Sequence, residues 1–303
     1  LWWYVRSLSG DLWLAFFWGA VYFLNPARVV NGPLLGYLDA PCLAAGVAAL
    51  ICAGRGRLVA AALLGVSAAL IKPQGVFFLL PVAVMTWGSG HLIRAVVAGV
   101  ASVLLACLPF LVMSGPHHFG LAMLVNLRED MLSGNALNLW WLVTVAMRIG
   151  QQGWEVFDTR LSLVSVTDFS GVSGIQPRLL MAAVVVGVAA WLGWSLRGNR
   201  RVADVAAYMA LVVHLYFVLA VSVHENHLIY AVVPLLIVAV ERREYRWLAL
   251  AVSLLTALNM ALFYGVGRDW EEIPRVGLFL PVTVVLAAAN IGLLVAHARL
   301  YGR

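Results

Sequence analysis

The sequence predicts an all-α fold, a polytopic transmembrane helical bundle, and three observations lead to it. Hydrophobic residues fill 63% of the 303 positions and charged residues only 11%, against about 25% charged in a soluble domain. Mean hydropathy is +0.93. The apolar residues also gather into runs close to the ~20 residues that cross a bilayer. The chain reads as a single membrane domain, 1–303, with roughly nine to ten membrane segments.

In order, the runs are 11–24, 36–53, two arms on either side of Lys72, then 92–113, 179–196, 203–223, 228–240, 247–265 and 276–296. The arms belong to one apolar stretch, 58–84, broken at Leu70-Ile71-Lys72-Pro73-Gln74-Gly75. A lysine at a transmembrane helix centre costs roughly 2.5–3.5 kcal/mol, so the chain must bring Lys72 to an interface or give it an anionic partner. Proline removes an amide donor and glycine permits a sharp reversal. Lys72 and Gln74 therefore stand at the joint of two helical arms.

The net charge of +6 reads as orientation rather than as a nucleic-acid surface. With Arg6, Arg55, Arg57, Arg94, Arg197, Arg200, Arg201, Arg242, Arg243, Arg246, Arg299 and Arg303 in the cytoplasm, the runs alternate consistently to the end of the chain. This threading makes 114–177 the longest external region. It holds an amphipathic stretch, 119–131, and an apolar piece, 137–147, too short to span and expected to be re-entrant or interfacial. A polar loop, 151–176, carrying Glu155, Asp158 and Asp168 follows. Cys42, Cys52 and Cys107 lie in apolar runs without CxxC spacing and read as packing residues. The opening, Leu1-Trp2-Trp3-Tyr4, shows no signal peptide and reads as starting partway through a longer protein.

Four polar groups fall on the external side. Asp39 follows Gly36-Tyr37-Leu38, where an acid in a first helical turn complements the dipole. Lys72 and Gln74 are the second group. Asn135 and Asn138 precede Leu139-Trp140-Trp141, where capping is the ordinary role of at least one. His224-Glu225-Asn226-His227 closes the run 203–223. Its histidines are three apart, not the four of a zinc protease helix, so no metal site is assigned. His117-His118 diverge as adjacent residues, and His214, mid-span, reads as a satisfied core histidine. A lysine, histidines, carboxylates and amides on one membrane face suit a phosphate held at the lipid interface and a carboxylate taking a hydroxyl proton.

In order and spacing, Asn25-Pro26, Gly36-Tyr37-Leu38-Asp39, Leu70-Ile71-Lys72-Pro73-Gln74, Asn135-Ala136-Leu137-Asn138-Leu139-Trp140 and His224-Glu225-Asn226-His227-Leu228 resemble bacterial GT-C glycosyltransferases. Most similar are mannosyltransferases related to the GPI-anchor enzymes, with patterns NP, WGQxD, KPQ, NAFNLW and HERYL. Leu35 and Tyr37 depart from the WGQ pattern, and Asn226 replaces its arginine. The resemblance implies a GT-C bundle that uses a polyprenyl-phosphate sugar as donor. Its acceptor would be a hydroxyl on a glycan, lipid or protein, the anomeric centre would invert, and a divalent cation is compatible with the chemistry. It implies donor-phosphate binding by Lys72, Gln74, His224 and His227, with Glu225, Asn135 and Asn138 supporting or binding the acceptor. The catalytic carboxylate is either Asp39 or an acid upstream of Leu1, because the loop 26–35 contains none. Membrane lipids are expected partners, and the expected location is a bacterial plasma membrane with the site outside. The rivals are a secondary transporter with Lys72 in a broken helix and a GT-C-like scaffold without catalysis.

Overall fold

The computed structural model describes residues 5–6, 10–30, 32, 35–125, 129–154, 163–199, 201–264 and 279–302. The expectations placed on residues 1–4, on part of the loop 26–35, on 126–128, Glu155, Asp158, Arg200, Gly265, 276–278 and Arg303 lie outside the described residues. Among the described residues the fold is all-helical, with thirteen α-helices. These are α1 (Leu12–Phe23), α2 (Pro26–Val29), α3 (Asp39–Gly54), α4 (Leu58–Ile71), α5 (Leu79–Thr86), α6 (Leu92–Val125) and α7 (Leu139–Gln152). They continue as α8 (Val166–Ser173), α9 (Pro177–Ser195), α10 (Val202–Leu219), α11 (Ile229–Glu241), α12 (Arg246–Tyr264) and α13 (Phe279–Tyr301).

Five segments are long and apolar enough to cross a membrane: Leu92–His118, Pro177–Ser195, Val202–Leu219, Arg243–Phe263 and Leu280–Tyr301. They make the chain an integral membrane protein. Five more apolar segments are shorter: Leu12–Phe23, Asp39–Gly54, Leu58–Ile71, Pro73–Thr86 and Ile229–Glu241. At 1.5 Å per residue, a helix of about fourteen residues rises ~21 Å, less than the ~30 Å hydrocarbon core. Polar breaks are what shorten them: Lys72-Pro73 ends α4, and the histidine-rich turn precedes α11. Run 92–113 ends where Gly115 leaves helical geometry, at φ 75° and ψ 156°, just ahead of Pro116.

The chain gathers into two compact units. One comprises Leu1–Ala40, Met131–Leu192 and Ala206–Arg303, the other Pro41–Asp130 and Gly193–Val205. In the first, every residue of α11 from Ile229 to Ala239 is buried, as a helix apolar on all sides must be. It packs on α12, which packs on α13 and α2. Between α6 and α7, β1 (Ser133–Gly134) pairs in parallel with β2 (Val223–His224). This two-residue ribbon ties the start of α7 to the link between α10 and α11.

In the second unit, α4 packs against α6 and against the 3-10 turn Pro73–Phe78. Lys72 is extended, at φ −151° and ψ 134°, and its amide still donates to Ala68 O at 3.1 Å. The Gly75 amide donates to Lys72 O at 2.8 Å. A side chain at Gly75 would strike the Ala68 carbonyl, which explains the glycine two residues after the proline. The break at Lys72 is thus a tight turn folded back onto α4, and the second arm starts as a 3-10 helix before becoming α5. The first part of α6 exposes Ile93, Val97, Leu104 and Leu105, an apolar surface suited to lipid.

Candidate functional site

Asp39 opens α3 and is 1% exposed. Tyr230 Oη donates to one carboxylate oxygen at 2.5 Å and Asn226 Nδ2 to the other at 3.2 Å. A buried carboxylate is tolerable when such donors satisfy it, and two donors from the α10–α11 link and from α11 fix its orientation. Asp39 is therefore joined to the His224–His227 turn across 187 positions of sequence.

That turn is held from its other side by residues 131–135. Glu225 N donates to Gly134 O at 3.2 Å, Ser222 N donates to Leu132 O at 3.1 Å, and Asn135 bridges His224. A Cβ on Gly134 would fall against the His224 ring, so glycine is what permits the two segments to meet. Asn135 and Ser222 both have positive φ, 58° and 57°, an uncommon geometry in which Asn is enriched. Glu225, Asn226 and His227 are buried. The His224 side chain is 34% exposed, with Nδ1 4.0 Å from Glu225 Oε2. His227 Nδ1 accepts the His224 amide at 3.4 Å and faces Tyr216 Oη at 3.4 Å, with the Tyr216 ring stacked on it. A neutral His227 therefore carries its proton on Nε2.

Asn138 caps α7: its Oδ1 accepts Trp141 N at 2.9 Å and its Nδ2 donates to Phe217 O at 3.2 Å. Its partners give it a positioning role. Leu137 is held at both backbone groups, its amide by Asn259 Oδ1 at 3.0 Å and its carbonyl by Asn290 Nδ2 at 2.7 Å. Asn259 Nδ2 also donates to Asn135 O at 2.9 Å. Behind Asn290, fully buried His214 presents Nε2 to its Oδ1 at 2.9 Å and Nδ1 to His297 Nδ1 at 3.3 Å. Irregular backbone among apolar helices must find such partners internally. His214 is the satisfied core histidine that its mid-span position predicts.

Asp39, Asn135, Asn138, His224, Glu225 and His227 are thus gathered within the first unit. Lys72 and Gln74 belong to the second, both partly buried at the turn that ends α4. Tyr230, Tyr216, Asn259 and Asn290 were not singled out from the sequence. The two asparagines carried a readable signal, a lone amide inside an apolar span, whereas the tyrosines carried none. Asn25 caps α2, its Oδ1 accepting Ala27 N at 2.8 Å while Nδ2 donates to Ser253 Oγ at 2.5 Å. Among the described residues, no three His, Cys, Asp or Glu side chains form a group that would hold a metal ion. In comparisons with protein-family models, curated proteins and solved structures, nothing matches this chain.

Proposed function

We propose that the chain is a membrane glycosyltransferase that moves a hexose, mannose by its resemblance, from a polyprenyl-phosphate donor to a hydroxyl acceptor on the external face. The supporting observation is the Asp39–Asn226 hydrogen bond, which joins two distant polar motifs of the sequence beside a third, Asn135–Asn138. In the proposed reaction the acceptor oxygen attacks the anomeric carbon while the bond to the phosphate oxygen breaks. Polyprenyl phosphate leaves with the electron pair, the hydroxyl proton passes to a carboxylate, and the centre inverts. A phosphate leaving group needs charge stabilisation rather than protonation. Asp39 is the assigned proton acceptor, oriented by Tyr230 and Asn226, and His224 and the Nε2–H of His227 are the assigned phosphate donors. The sequence expectation that Lys72 and Gln74 bind phosphate is tested apart from these.

The test uses the full-length protein in lipid nanodiscs with polyprenyl-phosphate mannose and extracted acceptors, reading release of polyprenyl phosphate. Wild type is expected to release it, and Asp39→Asn to lose at least about a hundredfold of the rate, the scale of a general-base contribution, while still binding donor. Lys72→Ala is expected to weaken donor binding. Full activity in Asp39→Asn would remove it from the reaction. No release from folded wild type with any donor would favour the scaffold, a reading that the burial and internal hydrogen bonds of Asp39 also fit.

A further inference from the structure

We infer that the arginine-rich end of the second unit carries a seat for the headgroup of an anionic phospholipid, with Arg197 on its phosphate and the rings of Trp87 and Trp194 beside its glycerol and upper acyl carbons. The inference does not rest on the transferase reading.

The link between α9 and α10 assembles the seat. Gly198 N donates to Val84 O at 3.0 Å, which holds the link against the end of α5. Gly198 has φ 77°, in the left-handed region open to glycine. Further along, a Cβ on Gly54 would strike the Val202 side chain, so the same link also meets the end of α3. These two contacts bring the turn 55–57, the turn 87–91 and the link itself to one end of the unit. That end exposes Arg55, Arg57, Arg94, Arg197 and Arg201. Asp204, the acid among them, is already engaged: its Oδ2 accepts Asn199 Nδ2 at 2.9 Å and lies 3.9 Å from Arg201 Nε. Glu129 and Asp130, the other acids of the unit, follow the C-terminus of α6. Arg94 stands in the first turn of α6, where the helix dipole disfavours a cation and favours an anion.

Arg197 is preorganised and open. Its guanidinium carbon lies 4.4 Å from the Trp194 ring centroid, and its Nη1 donates to Trp194 O at 2.9 Å. Part of the fork is thereby fixed, while among the described residues Nε and Nη2 take no protein acceptor. The side chain is exposed, so an anion can reach it from outside, and a guanidinium fork matches two oxygens of a phosphate. Trp87 meets Trp194 edge to face, with centroids 5.6 Å apart and planes at 71°. Both rings remain about half exposed, at 46% and 57%.

The surroundings select a lipid. Directly after this end, α6 exposes Ile93, Val96, Val97 and Val100, on a segment long and apolar enough to span. The hydrocarbon boundary therefore falls near Trp87 and Arg94. Tryptophan is enriched at that level, and basic groups there recognise anionic headgroups. Free phosphate would use the arginines and leave the indole rings unused. A zwitterionic headgroup would bring its own cation toward the arginines. A phospholipid of net negative charge uses both surfaces and meets no repulsion.

Native mass spectrometry of the full-length protein in detergent, titrated with phosphatidylglycerol or phosphatidylcholine, tests the seat. Wild type is expected to retain phosphatidylglycerol in preference to phosphatidylcholine, and Arg197→Gln to bind it about tenfold more weakly with an unchanged unfolding midpoint in lipid-free detergent. Trp194→Leu, which keeps the charge and removes the wall, is expected to weaken it as well. Arg299→Gln removes an exposed arginine from the other unit and is expected to bind as wild type does. Undiminished binding in Arg197→Gln overturns the seat. An equal loss in Arg299→Gln also overturns it, since the attraction would then be diffuse charge. So does a lowered midpoint in Arg197→Gln, which would make Arg197 a structural residue. Equal retention of phosphatidylcholine, or displacement of the lipid by inorganic phosphate, overturns the assignment to an anionic phospholipid.

Discussion

Asp39 ties together residues that no local pattern would join, and its donors Tyr230 and Asn226 are unequal. Tyr230 reaches it through a short phenol hydrogen bond, whereas Asn226 reaches it at 3.2 Å. Hydrogen bonds to a charged acceptor are the stronger class, and a buried acceptor stripped of one loses desolvation it cannot recover from water. Tyr230→Phe is therefore expected to lower stability by about 1–3 kcal/mol, read as the unfolding midpoint in detergent. The double variant with Asp39→Asn tests the contact itself. Coupled residues depart from additivity by roughly 0.5 kcal/mol or more, so strictly additive losses would show that Tyr230 stabilises through packing alone. The residues legible beforehand were those whose chemistry is expensive in an apolar chain: Asp39, Lys72 and the His224–His227 turn.

At the scale of elements, segment 131–138 is irregular backbone set among apolar helices, and side chains from two helices and a backbone carbonyl from a third hold it. Asn259 on α12, Asn290 on α13 and the Phe217 carbonyl on α10 take up the polar groups of Leu137 and Asn138. The hydrogen bonds also assign tautomers. Asn290 must turn Nδ2 toward Leu137 O, which leaves Oδ1 facing His214 and requires a proton on His214 Nε2. With both rings neutral, His214 Nδ1 is then the acceptor and His297 Nδ1 the donor. Imidazole nitrogen-15 shifts should report a proton on Nε2 in His214 and on Nδ1 in His297. His214→Gln places an amide N–H where Nε2 stood and should keep the segment protected. His214→Asn reaches only the Nδ1 position and should raise amide hydrogen exchange across 133–138 by about tenfold, as expected for one lost buried hydrogen bond. Equal exchange in the two variants would mean that His214 fills space and orients nothing. Little of this network was readable in the sequence. A single Asn or His inside a span signals only that some partner exists, and the partner here lies as many as 153 residues away.

For the whole molecule, nearly every apolar run became a helix within a few residues of its expected bounds, because in hydrocarbon a helix satisfies its own backbone. Length was less legible than position: five runs stop short of a full span where polar turns cut them. Sidedness is a matter of charge, since the arginines concentrate in alternate loops and short basic loops are retained in the cytoplasm. That argument makes Val172 external and His91 cytoplasmic, and both are well exposed, whereas Ser133 is 1% exposed and would be a poor reporter whichever way the chain faces. Cys42, Cys52 and Cys107 are free thiols, so the background must first be made cysteine-free. In intact cells, Val172→Cys should react with a membrane-impermeant maleimide and His91→Cys should not, until the membrane is permeabilised. The reverse pattern would invert the topology and put the Asp39 cluster in reach of cytoplasmic nucleotide sugars, removing the reason for a lipid-borne donor. Reaction of both sites in intact cells would mean that an even number of crossings separates them, either because 137–147 spans after α6 instead of returning or because α6 does not cross.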